Sequence, residues 1–168
     1  MKKNEEYIVT CIDDTDLNSG VVKIDDMVVF VPNLLIDEKA KIKIVKVNKK
    51  YAFGIIIQLL EPSINRQELT CEVAKTCGGC QLQHMKYTYQ LEYKYKHVKK
   101  LFDDIEVKPI LGMNTPWYYR NKAQFPVKIK DGNVLMGFYR QHSNDVVTCK
   151  ECKIQDHAIN EVFSFIQN

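Results

Sequence analysis

Three cysteines within a run of ten residues constrain this chain more than any other feature of its sequence. Cys71, Cys77 and Cys80 lie in the segment CEVAKTCGGC, with five residues between the first two and a pair of glycines between the last two. Glycine lets the backbone turn tightly, so the thiolates of Cys77 and Cys80 are expected to face one centre. Three thiolates this close repel one another unless a metal neutralises their charge. The alternative, a set of unrelated reduced thiols, is disfavoured by this spacing.

A second pair of cysteines extends the possible site. Cys149 and Cys152 begin 69 residues after Cys80. Sites with four thiolates hold either zinc or an iron–sulfur cluster. A zinc ribbon places its two pairs about 15–20 residues apart, and it would leave Cys71 without a role. Three clustered ligands and one distant ligand therefore favour a 4Fe–4S cluster over zinc. The sixth cysteine, Cys11, lies in a β-rich run and is predicted to be a small core residue.

Residues 1–62 have the pattern of a small β-barrel. Residues 39–47 (KAKIKIVKV) alternate charged and apolar side chains, which is typical of a half-buried strand. Four further β-rich runs are found at residues 7–12, 20–24, 27–32 and 51–57. Five short strands with tight turns predict a closed, OB-like barrel, because closure leaves no exposed strand edge. Such barrels bind nucleic acids, proteins or sugars, so the fold alone does not decide the function.

The remainder of the chain predicts a small domain, which makes the whole an α+β protein. Residues 63–87 form the segment that carries the cysteine cluster, and residues 88–168 form a central α+β domain. Its elements are a helix from Thr88 to about Ile105, a hairpin that turns at Asp131-Gly132, and a helix capped by Asp156. The last helix reaches the end of the sequence without a C-cap. We therefore expect the chain to be part of a longer protein.

A mildly basic second half is compatible with a polyanionic partner. Residues 71–168 carry 14 Lys/Arg against 10 Asp/Glu, which permits such a partner without demanding one. Alternation along a predicted strand places Arg120, Lys122 and Gln124 on one face, and Arg140 supplies a further cation. Aromatic residues lie close to them in the sequence. Cations and aromatic rings together suit the binding of unstacked RNA. The alternatives are that the rings pack in the core and that the charges belong to an ordinary solvated surface.

No part of the sequence predicts a membrane location. No apolar run approaches the length needed to span a bilayer, and the basic N-terminus is not followed by the apolar stretch of a signal peptide. Six cysteines without a secretory signal point to metal binding or catalysis in a reducing compartment. We therefore expect a cytoplasmic protein without a membrane partner.

The cysteine segment resembles a known motif. Cys71-x5-Cys77-Gly-Gly-Cys80-x-Leu-Gln83 resembles the iron–sulfur motif of the bacterial RNA 5-methyluridine methyltransferases, especially those that act on 23S ribosomal RNA. Residues 119–125 (YRNKAQF), 137–140 (GFYR) and 145–155 are similar to later segments of that family, in the same order. The resemblance implies that Cys152 is the fourth ligand of a 4Fe–4S cluster and that Cys149 is a neighbour.

The first sixty residues are similar to a TRAM domain, an OB-like RNA-binding barrel. Asn33 and Asp37 stand at places where glycine is common in such domains. The resemblance as a whole implies an enzyme that methylates C5 of a uridine with S-adenosylmethionine. It also implies that the partner is RNA, 23S rRNA in particular, rather than DNA.

The resemblance also implies what this sequence lacks. The catalytic cysteine, the general base and the methyl-donor site of the family lie in a C-terminal Rossmann-like domain, and their motifs do not occur here. We therefore expect no catalytic residue in the chain and expect S-adenosylmethionine to bind only in that further domain. The alternatives are a stand-alone iron–sulfur or zinc RNA-binding module, and a redox protein that uses the cluster itself. A radical methylthiotransferase is disfavoured because it needs the spacing Cys-x3-Cys-x2-Cys.

Overall fold

The structure is a computed structural model that describes residues 1–102 and 104–167. The predicted first helix includes Asp103, and the predicted central domain includes both Asp103 and Asn168, which lie outside these ranges. Within the described ranges, no helix has the length and apolarity that crossing a bilayer requires. The chain divides into two compact units, each of which is built from two separate segments.

Six strands of the first unit form one curled sheet. They are β1 (Glu6–Thr10), β2 (Asp13–Asp14), β3 (Ser19–Ile24), β4 (Met27–Pro32), β5 (Lys39–Val47) and β6 (Tyr51–Glu61). Their order is β1-β5-β6-β4-β3-β2, and every pair is antiparallel except β4 with β6. The edge strands β1 and β2 are consecutive in the chain, so Cys11 and Ile12 connect one edge of the sheet to the other. The sequence predicted a closed barrel of five strands, whereas the sheet is curled with β1 and β2 at the two ends of its strand order. The sixth strand is β2, whose two residues lie outside the predicted strands and pair with β3.

Alternating side chains of the curled sheet form its core. Along β5, Ala40, Ile42 and Ile44 are fully buried, whereas the lysines between them point outward, which confirms the predicted half-buried strand. Cys11 lies in this core as predicted, and burial raises the pKa of its thiol to about 11. The backbone of Asn33 has φ 63° and that of Asp37 has φ 67°. This left-handed region favours glycine, but Asn and Asp tolerate it.

The first helix, α1 (Tyr87–Lys99), belongs to the first unit. The buried Tyr93 hydroxyl accepts a hydrogen bond from Asn18 N at 3.0 Å, and Lys96 Nζ lies 2.8 Å from Asp14 Oδ1. The first unit therefore comprises residues 1–67 and 84–108, whereas the predicted division placed the helix with the central domain. Helical periodicity predicts that a helix forms, but it does not say which neighbour the helix packs against.

The second unit comprises residues 68–83 and 109–168. Its elements are β7 (Val127–Lys130), β8 (Asn133–Met136), β9 (Phe138–Tyr139), β10 (Val146–Val147) and α2 (His157–Gln167). Strands β7 and β8 form the predicted hairpin, and Asp131 (φ 51°) and Gly132 (φ 78°) have the positive φ values of a type I′ turn. Asp156 caps α2 as predicted, since its Oδ1 accepts a backbone N–H at 2.9 Å. Buried Phe163 of α2 stacks on Phe125, with 4.3 Å between the ring centroids.

The segment that carries three predicted RNA-binding residues is irregular. Residues 121–126 form no strand, and Arg120 takes part in a single bridge, to Gln155. Pro126 has no N–H to donate to a neighbouring strand and also restricts the residue before it, which disfavours regular pairing here. The predicted alternation therefore does not place Arg120, Lys122 and Gln124 on one face of a strand.

Candidate metal centre and nucleic-acid interface

Five of the six cysteines line one largely enclosed cavity in the second unit. They are Cys71, Cys77, Cys80, Cys149 and Cys152. All five are free thiols in the structure. The four predicted ligands therefore come together although Cys149 lies 69 positions after Cys80 in the sequence. Cys149, which the sequence resemblance treats only as a neighbour, lines the same cavity.

Tight turns fold the cysteine-rich segment against β9. Cys77 N donates to Val73 O at 2.8 Å, and Gly78 N donates to Tyr139 O at 2.9 Å. The two glycines were predicted to let the backbone turn tightly, and the segment does turn tightly although neither Gly78 nor Gly79 has a positive φ. Instead, a Cβ on Gly78 would lie 3.3 Å from Tyr139 O. Close approach to β9 is therefore the reason that glycine suits this position.

The loop that carries Cys149 and Cys152 is fastened on two sides. Asn160 of α2 brackets Cys152: its Oδ1 accepts the Cys152 N–H at 2.9 Å, and its Nδ2 donates to Cys152 O at 3.1 Å. Glu72 Oε1 accepts the Lys150 N–H at 2.8 Å and so ties the loop to the cysteine-rich segment. The sequence analysis did not single out Asn160 or Glu72. A polar residue in a helix carries no sequence signal for such a contact, because the contact depends on where the loop runs.

Burial sets the acidity of the thiols. It raises the pKa of Cys80 to about 11 and that of Cys149 to about 12, and the neighbouring thiols add to both shifts. The pKa values of Cys77 and Cys152 are also raised, mainly by burial. Arg120 opposes the shifts of Cys80 and Cys152 only in part, so these four thiols are protonated at neutral pH when no metal is bound. A metal reverses this preference, because it binds the thiolates and releases their protons.

The sulfur donors fit a metal that binds thiolates, but the side chains in the structure are not spaced to coordinate one. Sulfur donors suit zinc and iron–sulfur clusters. Among residues 1–102 and 104–167, however, no three His, Cys, Asp or Glu side chains are arranged to hold a metal ion. The cavity that the five thiols line has a volume of about 30 Å³.

The predicted RNA-binding residues fall in two places in the second unit. Gln124 and Arg140 line an open groove, together with Tyr139. Arg120 lines the thiol cavity instead, and Lys122 is exposed to solvent. The groove is bounded on one side by Gly78 and Gly79 of the cysteine-rich segment, so it lies next to the thiol cavity.

The aromatic residues near these positions divide between core and surface. Phe125 is a core ring that packs against Phe138 and Phe163, as predicted for most of the rings. Tyr118 stacks on His157, with 4.0 Å between the ring centroids. Tyr139, by contrast, is half exposed at the groove, so its ring face is accessible to a ligand.

Comparison with known proteins identifies the curled sheet. Residues 3–57 match the model of the TRAM domain family. This range covers β1 to β5 and most of β6, which confirms the predicted TRAM domain. The remainder of the chain, including all five cysteines of the cavity, lies outside the match.

The chain is homologous to bacterial RNA methyltransferases. It is 46% identical over 172 residues to an uncharacterised RNA methyltransferase of Oceanobacillus iheyensis, an alignment that covers 98% of this chain and 37% of the relative. It is 40% identical over 175 residues to an uncharacterised RNA methyltransferase of Clostridium acetobutylicum, covering 99% of this chain and 38% of the relative. The chain thus spans somewhat more than a third of the length of these relatives.

A solved structure shares the fold. The crystal structure of the Pyrococcus abyssi tRNA (uracil-54, C5)-methyltransferase in complex with S-adenosyl-L-homocysteine matches with a TM-score of 0.61. The match covers 95% of this chain and 35% of that protein, at 23% sequence identity. At this identity the likeness establishes the fold and nothing more specific.

Proposed function

We propose that this chain is the RNA-binding, cluster-holding part of an S-adenosylmethionine-dependent methyltransferase that acts on C5 of a uridine. The observation that carries the proposal is a TRAM domain within a chain that is homologous to RNA methyltransferases over nearly its whole length. The homology favours this function over a stand-alone binding module. We assign methyl transfer and S-adenosylmethionine binding to parts of the relatives that the chain does not cover.

We propose uridine as the target base and 23S rRNA as the RNA that contains it. The reason is that residues 71–83 and 119–125 resemble segments of the RNA 5-methyluridine methyltransferases. Chemistry on a base requires the base to leave its stack, or to lie in a single strand from the start. The part of the enzyme that holds RNA must therefore bind unpaired nucleotides. The groove of Gln124 and Arg140 has features that suit this task, since it combines a cation, an amide and the exposed ring of Tyr139. Arg120 and Lys122 are proposed as further RNA contacts.

We also propose that Cys71, Cys77, Cys80 and Cys152 hold a 4Fe–4S cluster. The convergence of the thiols on one cavity supports this assignment. When bound, the cluster would supply covalent cross-links between the cysteine-rich segment and the loop before α2. Glu72 joins the same two segments by a hydrogen bond, and Asn160 fixes the loop before α2 to that helix, so the chain's own residues already orient the donors. A cytoplasmic location, which we also propose, keeps the thiols reduced.

Competition binding tests the proposed partner. The 168-residue chain is titrated into a fluorescein-labelled, single-stranded segment of 23S rRNA, and anisotropy reports binding in the presence of unlabelled tRNA or duplex DNA. We expect unlabelled rRNA to compete most strongly and duplex DNA to compete weakly at about 150 mM salt. Equal competition by DNA would contradict an RNA-specific function.

A charge variant tests the groove in the same assay. Arg140→Ala is expected to weaken binding and to lower the slope of log affinity against log salt by about 0.7, the value for one lost contact to a single-strand phosphate. Lys130→Ala is the matched control, because Lys130 is an exposed cation on the β7 strand. Equal effects of the two substitutions would show that the groove makes no specific contribution.

A further inference from the structure

The open groove and the thiol cavity of the second unit share a wall. Gly79 and Phe138 line both of them. Phe138 is followed directly by Tyr139 and Arg140, which line the groove, and Gly79 is followed by Cys80, which lines the cavity. The proposed RNA contacts of the groove therefore lie within two residues of the wall of the proposed metal site.

Backbone pairing joins the two segments that build this wall. Cys77 of the cysteine-rich segment and Arg140 form an antiparallel bridge. Two backbone hydrogen bonds of 2.9 Å flank the bridge, from Gly78 N to Tyr139 O and from Gln141 N to Thr76 O. This is the pattern of two antiparallel strands around a pair that is not itself hydrogen-bonded. We call this pairing of residues 76–78 with residues 139–141 the wall bridge.

Neither side of the wall bridge belongs to a long regular element. Residues 68–83, all of which the structure describes, form no helix and no strand beyond the bridge itself. On the other side, β9 has two residues and forms a two-stranded sheet with β10, which is equally short. Pairs of strands this short are marginally stable on their own. The position of residues 139–141 therefore depends on whatever else holds the cysteine-rich segment in place.

A bound metal would be a strong restraint on that segment. Three of the four proposed cluster ligands, Cys71, Cys77 and Cys80, lie in it, and Cys77 is itself a member of the wall bridge. Metal binding by thiolates adds to the stability of the folded state, because an unfolded chain rarely contains a preformed site. Loss of the metal therefore removes a restraint from the segment that supports Tyr139 and Arg140.

We propose that the wall bridge couples RNA binding in the groove to occupancy of the thiol cavity, so that the chain binds RNA tightly with its metal and weakly without it. The inference rests on the proposed function and adds a means of regulation to it. Tyr139 and Arg140 contact RNA together only while their backbone is held. If only a fraction of the molecules has this arrangement, the apparent affinity falls by that fraction. Coupling between sites is reciprocal, so bound RNA should also stabilise the occupied cavity.

RNA binding by the chain with and without its metal tests the proposal. The 168-residue chain is purified without oxygen, and a chelator removes the metal from one portion while the thiols are kept reduced. Both forms are titrated into the fluorescein-labelled, single-stranded segment of 23S rRNA. We expect the metal-free form to bind about 5- to 150-fold more weakly, the usual range of coupling between two sites. Ferrous iron and sulfide should restore the affinity.

A substitution shows whether the coupling acts through the groove. Arg140→Ala should weaken RNA binding by the metal-containing chain and should have little further effect on the metal-free form. Lys130→Ala removes an exposed cation on β7 and is the matched control, which should change the affinity by the same factor in both forms. If Arg140→Ala also weakens both forms by one factor, the groove does not respond to the metal and the proposal is wrong.

Hydrogen exchange separates a local coupling from general unfolding. The amides of Gly78 and Gln141 donate the two hydrogen bonds of the wall bridge, so they should exchange faster in the metal-free form. The amides of the β7–β8 hairpin should exchange at the same rate in both forms. Faster exchange throughout the second unit would mean that the metal stabilises the whole unit, and a specific role of the wall bridge would be refuted.

The remaining outcomes distinguish this proposal from the proposed function. Equal RNA affinity with and without the metal refutes the coupling and leaves the proposed function intact. If the metal-containing chain binds no single-stranded RNA, the proposed function fails as well. Saturating RNA should slow the loss of iron to the chelator, and an unchanged rate would count against the coupling alone. A chain that contains no metal when purified would contradict the proposed cluster and the coupling together.

Discussion

A buried carboxylate fastens the segment after β6 to the curled sheet. Glu38 is completely buried, and its carboxylate accepts N–H groups from Leu35 at 2.8 Å and from Ser63 at 3.1 Å. The Arg66 guanidinium supplies the opposite charge, with Nη2 at 2.7 Å from the carboxylate. A buried charge is tolerated only with such partners. The pair therefore fixes the position from which the chain leaves the first unit toward the cysteine-rich segment.

Neutralising Glu38 should be costly. Glu38→Gln keeps the shape of the side chain but leaves Arg66 without its counter-charge, so we expect a loss of about 3–5 kcal/mol in the free energy of unfolding. Urea unfolding followed by circular dichroism measures this loss. Lys39→Met, in the exposed ion pair of Lys39 with Glu61, is the control and should cost less than about 1 kcal/mol. Equal losses in the two variants would contradict a structural role for the buried pair.

His84 should make the first unit sensitive to acid. Its side chain is 5% exposed, and burial, with a smaller contribution from Arg66, lowers its pKa to about 4. An unfolded histidine titrates near pH 6.5, so the unfolded state binds more protons between these two values. Stability is therefore full above about pH 6.5 and falls as the pH drops toward 4, by about 3 kcal/mol in total.

Urea midpoints measured at pH 7 and pH 5 check this expectation. The decrease between the two pH values should be smaller in His84→Leu, which has no proton to bind at this position. His142→Asn is the control, since His142 is exposed and its backbone φ of 57° suits asparagine. An unchanged pH dependence in His84→Leu would assign the acid sensitivity to another group.

At the scale of the elements, the sequence predicts a strand well where one face of that strand is buried. The alternating pattern of β5 and the Asp131-Gly132 turn of the hairpin agree with the structure because local chemistry determines both. The pairing of Asp13 and Asp14 with β3 was not predicted, because two consecutive polar residues carry no alternating pattern. The irregular course of residues 121–126 depends on which partner strand is within reach, and a single segment does not contain that information.

One glycine between two strands should be sensitive to any side chain. Gly137 connects β8 to β9, and a Cβ there would lie 2.0 Å from Val147 O. The crowding atoms are all backbone atoms of Val147 and Thr148, which cannot move away freely, so Gly137→Ala should lower the stability of the second unit by about 1–3 kcal/mol. Gly79→Ala is the control, because the nearest atom to its Cβ would be Cys77 Sγ at 3.4 Å. Thermal unfolding that gives equal midpoints for both variants would contradict this packing.

At the scale of the whole molecule, the sequence predicted the relationship to RNA methyltransferases and the TRAM domain better than it predicted the division into units. Spacing alone indicated that Cys71, Cys77 and Cys80 belong together, and resemblance added Cys152. That Cys149 also faces the cavity could not be predicted, because it depends on the path of a loop that Asn160 and Glu72 hold in place.

The claim that the five-cysteine cavity holds a 4Fe–4S cluster is tested most directly by the metal content of the chain purified without oxygen. Iron, acid-labile sulfide and zinc are measured together with the visible spectrum. We predict about four irons and four sulfides per chain, lost in Cys152→Ser and retained in Cys149→Ser. One zinc without sulfide, no metal at all, or loss of iron in Cys149→Ser but not in Cys152→Ser would contradict the proposed cluster or its ligands.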